Sequence, residues 1–175
     1  MRMLTILVVF AAAAAAFADE HSAAVGKLDL AAIGPASGDV SAGQPSEEQL
    51  AEIAGQGYVA VIDLRGAEED RGYDESAAAA KLGLTYSALP IEGADAINVE
   101  NARRLGALLD GFDGPVLLHC GSGNRVGALV ALLEKDRGAS AEEALAAGRA
   151  AGLTRLEGLV EKRLEASEET ETETE

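Results

Sequence analysis

The chain has 175 residues, with 30 Asp and Glu against 14 Lys and Arg, for a net charge of −16. That length suits one domain with a real core. The acidity excludes a nucleic-acid partner, whose phosphates need a basic surface, and any anion site must work through local, aimed donors rather than a broad field.

Met1-Arg2-Met3 and the apolar run Leu4–Phe17 read as a secretory signal peptide over residues 1–18. The run is too short for an ordinary membrane span, and Ala16-Phe17-Ala18 has the small-x-small pattern of a cleavage site. Cleavage there predicts an exported, periplasmic protein with no membrane attachment. Residues 19–39 form an N-terminal segment, flexible in part and rich in Ala, Gly and Ser, with short strands expected at Leu28–Ile33 and Asp39–Ala42.

The domain proper spans residues 40–166. Ser46 and Gln49 form a capping box for a helix that carries Leu50 and Ile53 and ends at Gly55 and Gly57. Val59–Leu64 is nearly all apolar, which suits a strand buried on both faces. A charged loop, a short helix near Ser76–Leu82 and a strand at Leu84–Leu89 follow, the last stopped by Pro90. Asn98–Leu109 is a helix, Gly114-Pro115 a break, and Val116–Cys120 a third buried strand. Val126, Leu129, Val130 and Leu133 put a core-facing stripe on a helix running from about Arg125 to Asp136. Ser140 with Glu143, and Thr154 with Glu157, form capping boxes for helices at Ala141–Ala151 and Arg155–Ala166. Residues 167–175 are acidic and repetitive and read as a disordered tail. Strands alternating with helices predict a single α/β domain with a mostly parallel central sheet flanked by helices.

Ligands bind such sheets beyond the carboxyl ends of the strands, and Cys120 stands at one of those ends. It is the single cysteine, so no internal disulfide forms. A lone thiol in an oxidising compartment is exposed to the oxidation ladder, which favours a nucleophile over a filler residue. Gly121, Ser122, Gly123, Asn124 and Arg125 can turn backbone N–H groups inward as an anion nest. The next helix presents its positive end there, and the Arg125 fork fits two phosphate oxygens at once. Together these predict a thiolate at a pH below the usual value of about 8.5. His119 reads as a residue that orients the loop. Arg65, also at a strand's carboxyl end, can reach a substrate or pair with Glu68 or Glu69, and the ion pair is the expected role. His21 receives no role. Two distant histidines and one cysteine give no metal-site spacing, and the glycines do not form a dinucleotide or P-loop pattern, so no cofactor is expected. Three Tyr, three Phe and no Trp leave few aromatic walls for a phosphotyrosine pocket.

His119-Cys120-x-x-Gly123 resembles the opening of the cysteine-dependent phosphatases of the tyrosine and dual-specificity type. More closely, the chain is similar to the bacterial phosphatase-like family also found beside β-lactamase-like hydrolase domains, whose members are labelled either phosphatase or sulfur transferase. The resemblance runs from Val40 to Leu153 and rests on Gly43-Gln44-Pro45-Ser46, Val61-Ile62-Asp63-Leu64-Arg65, Leu89-Pro90-Ile91 and His119–Leu129. It implies attack by Cys120 on a phosphate ester through a phosphocysteine, with Arg125 holding the phosphate. It also implies an acid on the loop Ile91–Ala96, Asp95 first and Glu92 in reserve, while Asp95 reads equally well as the cap of a helix starting near Ala96. The sequence departs from the phosphatase signature in having four residues, not five, between Cys120 and Arg125, and in placing Val126 where a hydroxyl residue follows the arginine. The shorter loop is similar to that of rhodanese-like sulfurtransferases, which carry a persulfide on the cysteine. A non-enzymatic domain that binds an oxyanion is the third reading.

Overall fold

The computed structural model describes residues 28–33 and 38–172, and for residues 168–172 the backbone alone. The expected signal peptide and His21 lie outside these residues. Five strands form one sheet in the order β1-β2-β5-β3-β4, with β1 at Ala31–Ala32, β2 at Val40–Ala42, β3 at Ala60–Asp63, β4 at Thr85–Ala88 and β5 at Val116–His119. β1 is a two-residue antiparallel edge, shorter than the expected Leu28–Ile33; all other pairings are parallel. The helices are α1 at Glu47–Gly55, α2 at Glu75–Lys81, α3 at Val99–Leu109, α4 at Asn124–Asp136, α5 at Ala141–Ala150 and α6 at Glu157–Thr172.

The central strands are buried along their whole length because helices cover both faces. Side chains alternate between those faces. Ile62 and Leu118 point into the larger core with α3, α4, α5 and α6, whereas Val61 and Leu117 join Leu50, Ile53, Ala78 and Ala79 under α1 and α2. The parallel register sets Val61 beside Leu117, Ile62 beside Leu118 and Asp63 beside His119. Asp63 and His119 therefore share the α2 side, and Cys120, one residue on, belongs to the larger core.

The first two capping boxes form as expected. Ser46 Oγ accepts from Gln49 N at 3.2 Å and Gln49 Oε1 from Ser46 N at 2.9 Å. Ser140 and Glu143 make the same reciprocal pair before α5. Each cap stabilises its helix by about 1 kcal/mol. The third box is corrected: Thr154 does not cap with its side chain, its hydroxyl donates instead to Asn124 Oδ1 at 3.3 Å, and α6 begins at Glu157. That helix also continues past Ala166 to Thr172, into the stretch expected to be disordered. Glutamate is a good helix former, and extending an existing helix adds one hydrogen bond per residue without a new nucleus.

Candidate active site

β5 ends at His119 and α4 begins at Asn124, so Cys120–Gly123 is the whole connection. Gly123 makes this tight turn possible. It caps α4 with φ of +78°, a left-handed conformation that costs a side-chain-bearing residue about 1 kcal/mol or more. No side chain caps α4, so its first N–H groups remain available to an anion. Ser122 bridges to Gly43, just after β2, and leans the loop on the neighbouring strand. Gly121 and Ser122 are exposed at the loop's mouth, while Cys120 lies beneath it and is 1% exposed.

Arg125 turns back over the loop. Its Nη1 donates to the carbonyl oxygens of Leu64 at 3.4 Å and Ile91 at 3.2 Å, beyond β3 and β4. Both terminal nitrogens meet the carboxylate of Glu69, Nη2 reaching Oε2 at 2.8 Å. This fork-on-fork pair raises the Arg125 pKa above its ordinary value; burial opposes the shift, and the neighbouring Cys120 sulfur adds to it. The same pair holds the Glu69 carboxyl down at about 2. The guanidinium is thus tied to the ends of β3 and β4 and to the loop after β3, and it interacts with the Cys120 sulfur.

Asn124 belongs to the expected phosphate cradle, but its side chain faces inward. Its Oδ1 accepts from Thr154 N at 2.9 Å and Leu156 N at 3.4 Å, fastening the loop to the α5–α6 connection. Its Oδ1 is thereby committed to the fold rather than to the cradle.

Beneath the loop lies a buried charge cluster. Asp63 accepts from Arg65 Nε at 2.9 Å, Arg65 Nη2 at 3.0 Å, Arg71 Nε at 3.0 Å and the Tyr86 hydroxyl at 2.9 Å. Burial pushes its carboxyl up, but the bonds from Arg65 outweigh that and bring it to about 2. Arg65 also grips Glu75. This corrects the expected partner of Arg65: the register of β3 and the docking of α2 supply Asp63 and Glu75, while Glu69 is taken by Arg125. His119 is fully buried with Nε2 2.9 Å from Glu75 Oε1, an electrostatic contact out of line for a hydrogen bond. Asp63, Glu75 and His119 bring donor atoms within 4.8 Å of one another, the one such grouping among the described residues. A metal ion fits poorly there, because the Arg65 guanidinium already bridges both carboxylates and would repel it. Sequence reasoning missed Glu75. Its only local signal is its place after Asp74, which caps α2 through Ala77 N at 2.9 Å.

A cleft of about 540 Å³ opens beside Arg125 and is lined by residues of the 66–69 and 91–97 segments and by Leu156. Glu92 lines it. Asp95, the first choice as acid, does not: its side chain is fully exposed, 3.7 Å from Arg163 on α6. Nor does Asp95 cap the following helix, since Asn98 does so through Asn101 N at 2.9 Å. A second cavity of about 520 Å³ between residues 28–30 and α1 is lined by neither a thiol nor a cation.

Residues 40–169 match the family described as a DSP-PTPase phosphatase fused to NAD+ kinase. The beta-lactamase hydrolase-like proteins of two Xylella fastidiosa strains, Temecula1 and 9a5c, are 36% identical over 96 residues, 53% of this chain and 22% of theirs. The match thus spans about a fifth of those curated relatives. A protein of Neisseria meningitidis Z2491 assigned as a phosphatase superposes with a TM-score of 0.64 at 18% identity, covering 76% of this chain and 96% of that one. The DUF442 protein of Shewanella putrefaciens CN-32, also assigned as a phosphatase, gives 0.58 at 20% identity over 85% and 97%. Tk-PTP in its active form gives 0.56 at 25% identity over 78% and 96%. With the thiol loop, its arginine and this fold in agreement, the chain belongs to the dual-specificity and tyrosine phosphatase-type family that its residues 40–169 match.

Proposed function

We propose that the protein hydrolyses phosphate monoesters through Cys120. The observation that carries this reading is the Arg125 guanidinium facing the Cys120 sulfur across a loop whose N–H groups end a helix without a side-chain cap. The phosphate sits on the N–H groups of residues 121–125 and shares the guanidinium with Glu69. Sγ attacks phosphorus as the bond to the leaving oxygen breaks, which gives a phosphocysteine and an alkoxide or phenoxide. A carboxylic acid protonates the leaving oxygen, a contribution of about 10²–10⁴-fold. The 92–95 loop offers Glu92 inside the cleft and Asp95 outside it, beside Arg163. Water then attacks phosphorus, releases inorganic phosphate and returns the thiol.

The test is hydrolysis of p-nitrophenyl phosphate by purified protein. Cys120→Ser is expected to lower kcat by roughly a thousandfold or more, and rapid quenching should trap phosphate on Cys120. Equal rates in the two forms would remove the proposal. Glu92→Gln and Asp95→Asn, compared across pH, identify the acid by which one abolishes the alkaline limb of the rate profile. The four-residue spacing between Cys120 and Arg125 supports a second reading, persulfide transfer. It predicts that thiosulfate adds one sulfur to the intact mass and that cyanide removes it. We also place the reaction in the periplasm on the strength of residues 1–18; N-terminal sequencing of the protein from an expressing cell's periplasm should begin at Asp19.

A further inference from the structure

We propose, resting on the phosphatase reading, that the cleft beside Arg125, which meets the thiol loop through that residue alone, selects phosphomonoesters bearing a cationic group close to the phosphate. The cleft has one cation in its lining, Arg125, against three carboxylates, Glu68, Glu69 and Glu92. Glu69 already engages both terminal nitrogens of Arg125, so that pair is neutral. A phosphomonoester adds about −1.5 to −2 more charge at neutral pH. With Glu92 protonated as the leaving-group acid, Glu68 and Glu69 still outnumber Arg125. The loop N–H groups hold a phosphate locally but contribute no net charge. An ammonium or guanidinium carried by the substrate restores the balance.

Glu92 is fixed beside this site by the fold, and Glu68 is the carboxylate left to receive the cation. Glu92 Oε1 accepts from Ala67 N at 2.8 Å, and Gly66 makes room for it: a Cβ there would fall 2.8 Å from the same oxygen. The carboxylate is therefore seated in the cleft, close to the guanidinium's own carbonyl partner Ile91. Ile97 and Leu156 offer apolar surface for the carbon stem of the cation. No aromatic side chain lines the cleft, so ring stacking does not compete as the basis of selection. Esters that bring further negative charge, such as nucleotides and polyphosphorylated polyols, meet like charge on the rim, and the net charge of −16 repels them at longer range. The same chemistry is presented by a small zwitterionic phosphomonoester and by a phosphorylated residue next to Lys or Arg in a peptide.

The experiment compares kcat/KM at one ionic strength for phosphoethanolamine, glycerol phosphate and phosphoglycolate. A second arm uses a phosphoserine peptide flanked by Arg against one flanked by Glu. p-Nitrophenyl phosphate serves as the reference. The expected order is cationic, neutral, anionic, with about tenfold or more between the extremes. That ratio should shrink in high salt. Glu68→Gln should reduce it several-fold by slowing phosphoethanolamine relative to phosphoglycolate, with p-nitrophenyl phosphate turned over no more slowly than by the parent. The arm with the higher value identifies the source of the cation. Equal rates across the series, or preference for the anionic ester, overturn the selectivity while p-nitrophenyl phosphate turnover keeps the phosphatase reading intact. Absence of turnover with every ester removes the phosphatase reading instead. Selectivity is then read from protection of Cys120 against iodoacetamide by phosphoethanolamine and by phosphoglycolate, and equal protection overturns it.

Discussion

Gly127→Ala sets a helix-propensity gain against a steric cost, and the structure decides which is larger. Alanine is better than glycine in a helix interior by about 1 kcal/mol. At Gly127, however, a Cβ would lie 2.2 Å from Leu153 N, 2.6 Å from Gly148 O and 2.8 Å from Leu153 Cα. Carbon contacts are normally about 3.5–4.0 Å, so α4 and the end of α5 must separate by roughly 1 Å. All three obstructing atoms are backbone and cannot rotate away. The Cβ also intrudes between Leu153 N and Gly148 O, which are hydrogen-bonded at 2.8 Å. Overpacking costs about 1–3 kcal/mol, and the lost bond adds about 0.5–1.5 kcal/mol. After the propensity gain, about 2 kcal/mol of destabilisation remains at the middle of these ranges, or about 4–8 °C in Tm at this chain length. Gly127 N also donates to Gly123 O at 3.0 Å, the bond that starts the helix bearing Arg125, so turnover should fall with stability. Gly158→Ala in α6 is the control, because its Cβ meets nothing within 4 Å; its Tm should hold or rise slightly. Thermal melts of both variants check the argument. A Gly127→Ala protein as stable as its parent would refute the close approach of α4 and α5.

Other outcomes test the charges. Glu75→Ala should cost about 3–5 kcal/mol in urea unfolding, because it strips one partner from an Arg65 that is 1% exposed, and Glu75→Gln should recover part of it. Asp63 is held at about 2, below its usual 3.8, which corresponds to about 2 kcal/mol. Its folded pKa is depressed, so this stability is complete above pH 4 and is lost as pH falls through about 2. Asp63→Asn should flatten the acid-unfolding curve in that window. Glu69→Gln should tighten inorganic phosphate or vanadate binding a few-fold, since it frees the Arg125 fork and removes a carboxylate from the cleft. Weaker binding in that variant would mean that orientation of Arg125 by Glu69 outweighs competition. Isothermal titration measures the sign directly.

The residues of the thiol loop were legible because their chemistry is local. A buried strand, a glycine able to take positive φ and an apolar helical stripe lie within about 20 residues of sequence, and each constrains its neighbours whatever the rest of the chain does. The boxes at Ser46 and Ser140 were legible for the same reason, their partners lying three residues away. Thr154 had an equally good local pattern and failed, because Asn124 offered its hydroxyl and backbone N–H a buried acceptor 30 residues distant.

Sequence alone determined the parallel α/β layering and the thiol at a strand's carboxyl end, since periodicity and turn residues act over one or two turns of chain. Tertiary structure alone decided which carboxylates serve which arginine. Asp63 and His119 became neighbours through the pairing of β3 with β5, and Glu75 joined them through the docking of α2 on that face. Glu69 reached Arg125 across 56 residues, and Glu92 rather than Asp95 came to line the cleft. The physical reason is that charge pairing falls off over a few ångströms and is indifferent to sequence distance, so it is fixed only once the sheet register has set which side chains meet.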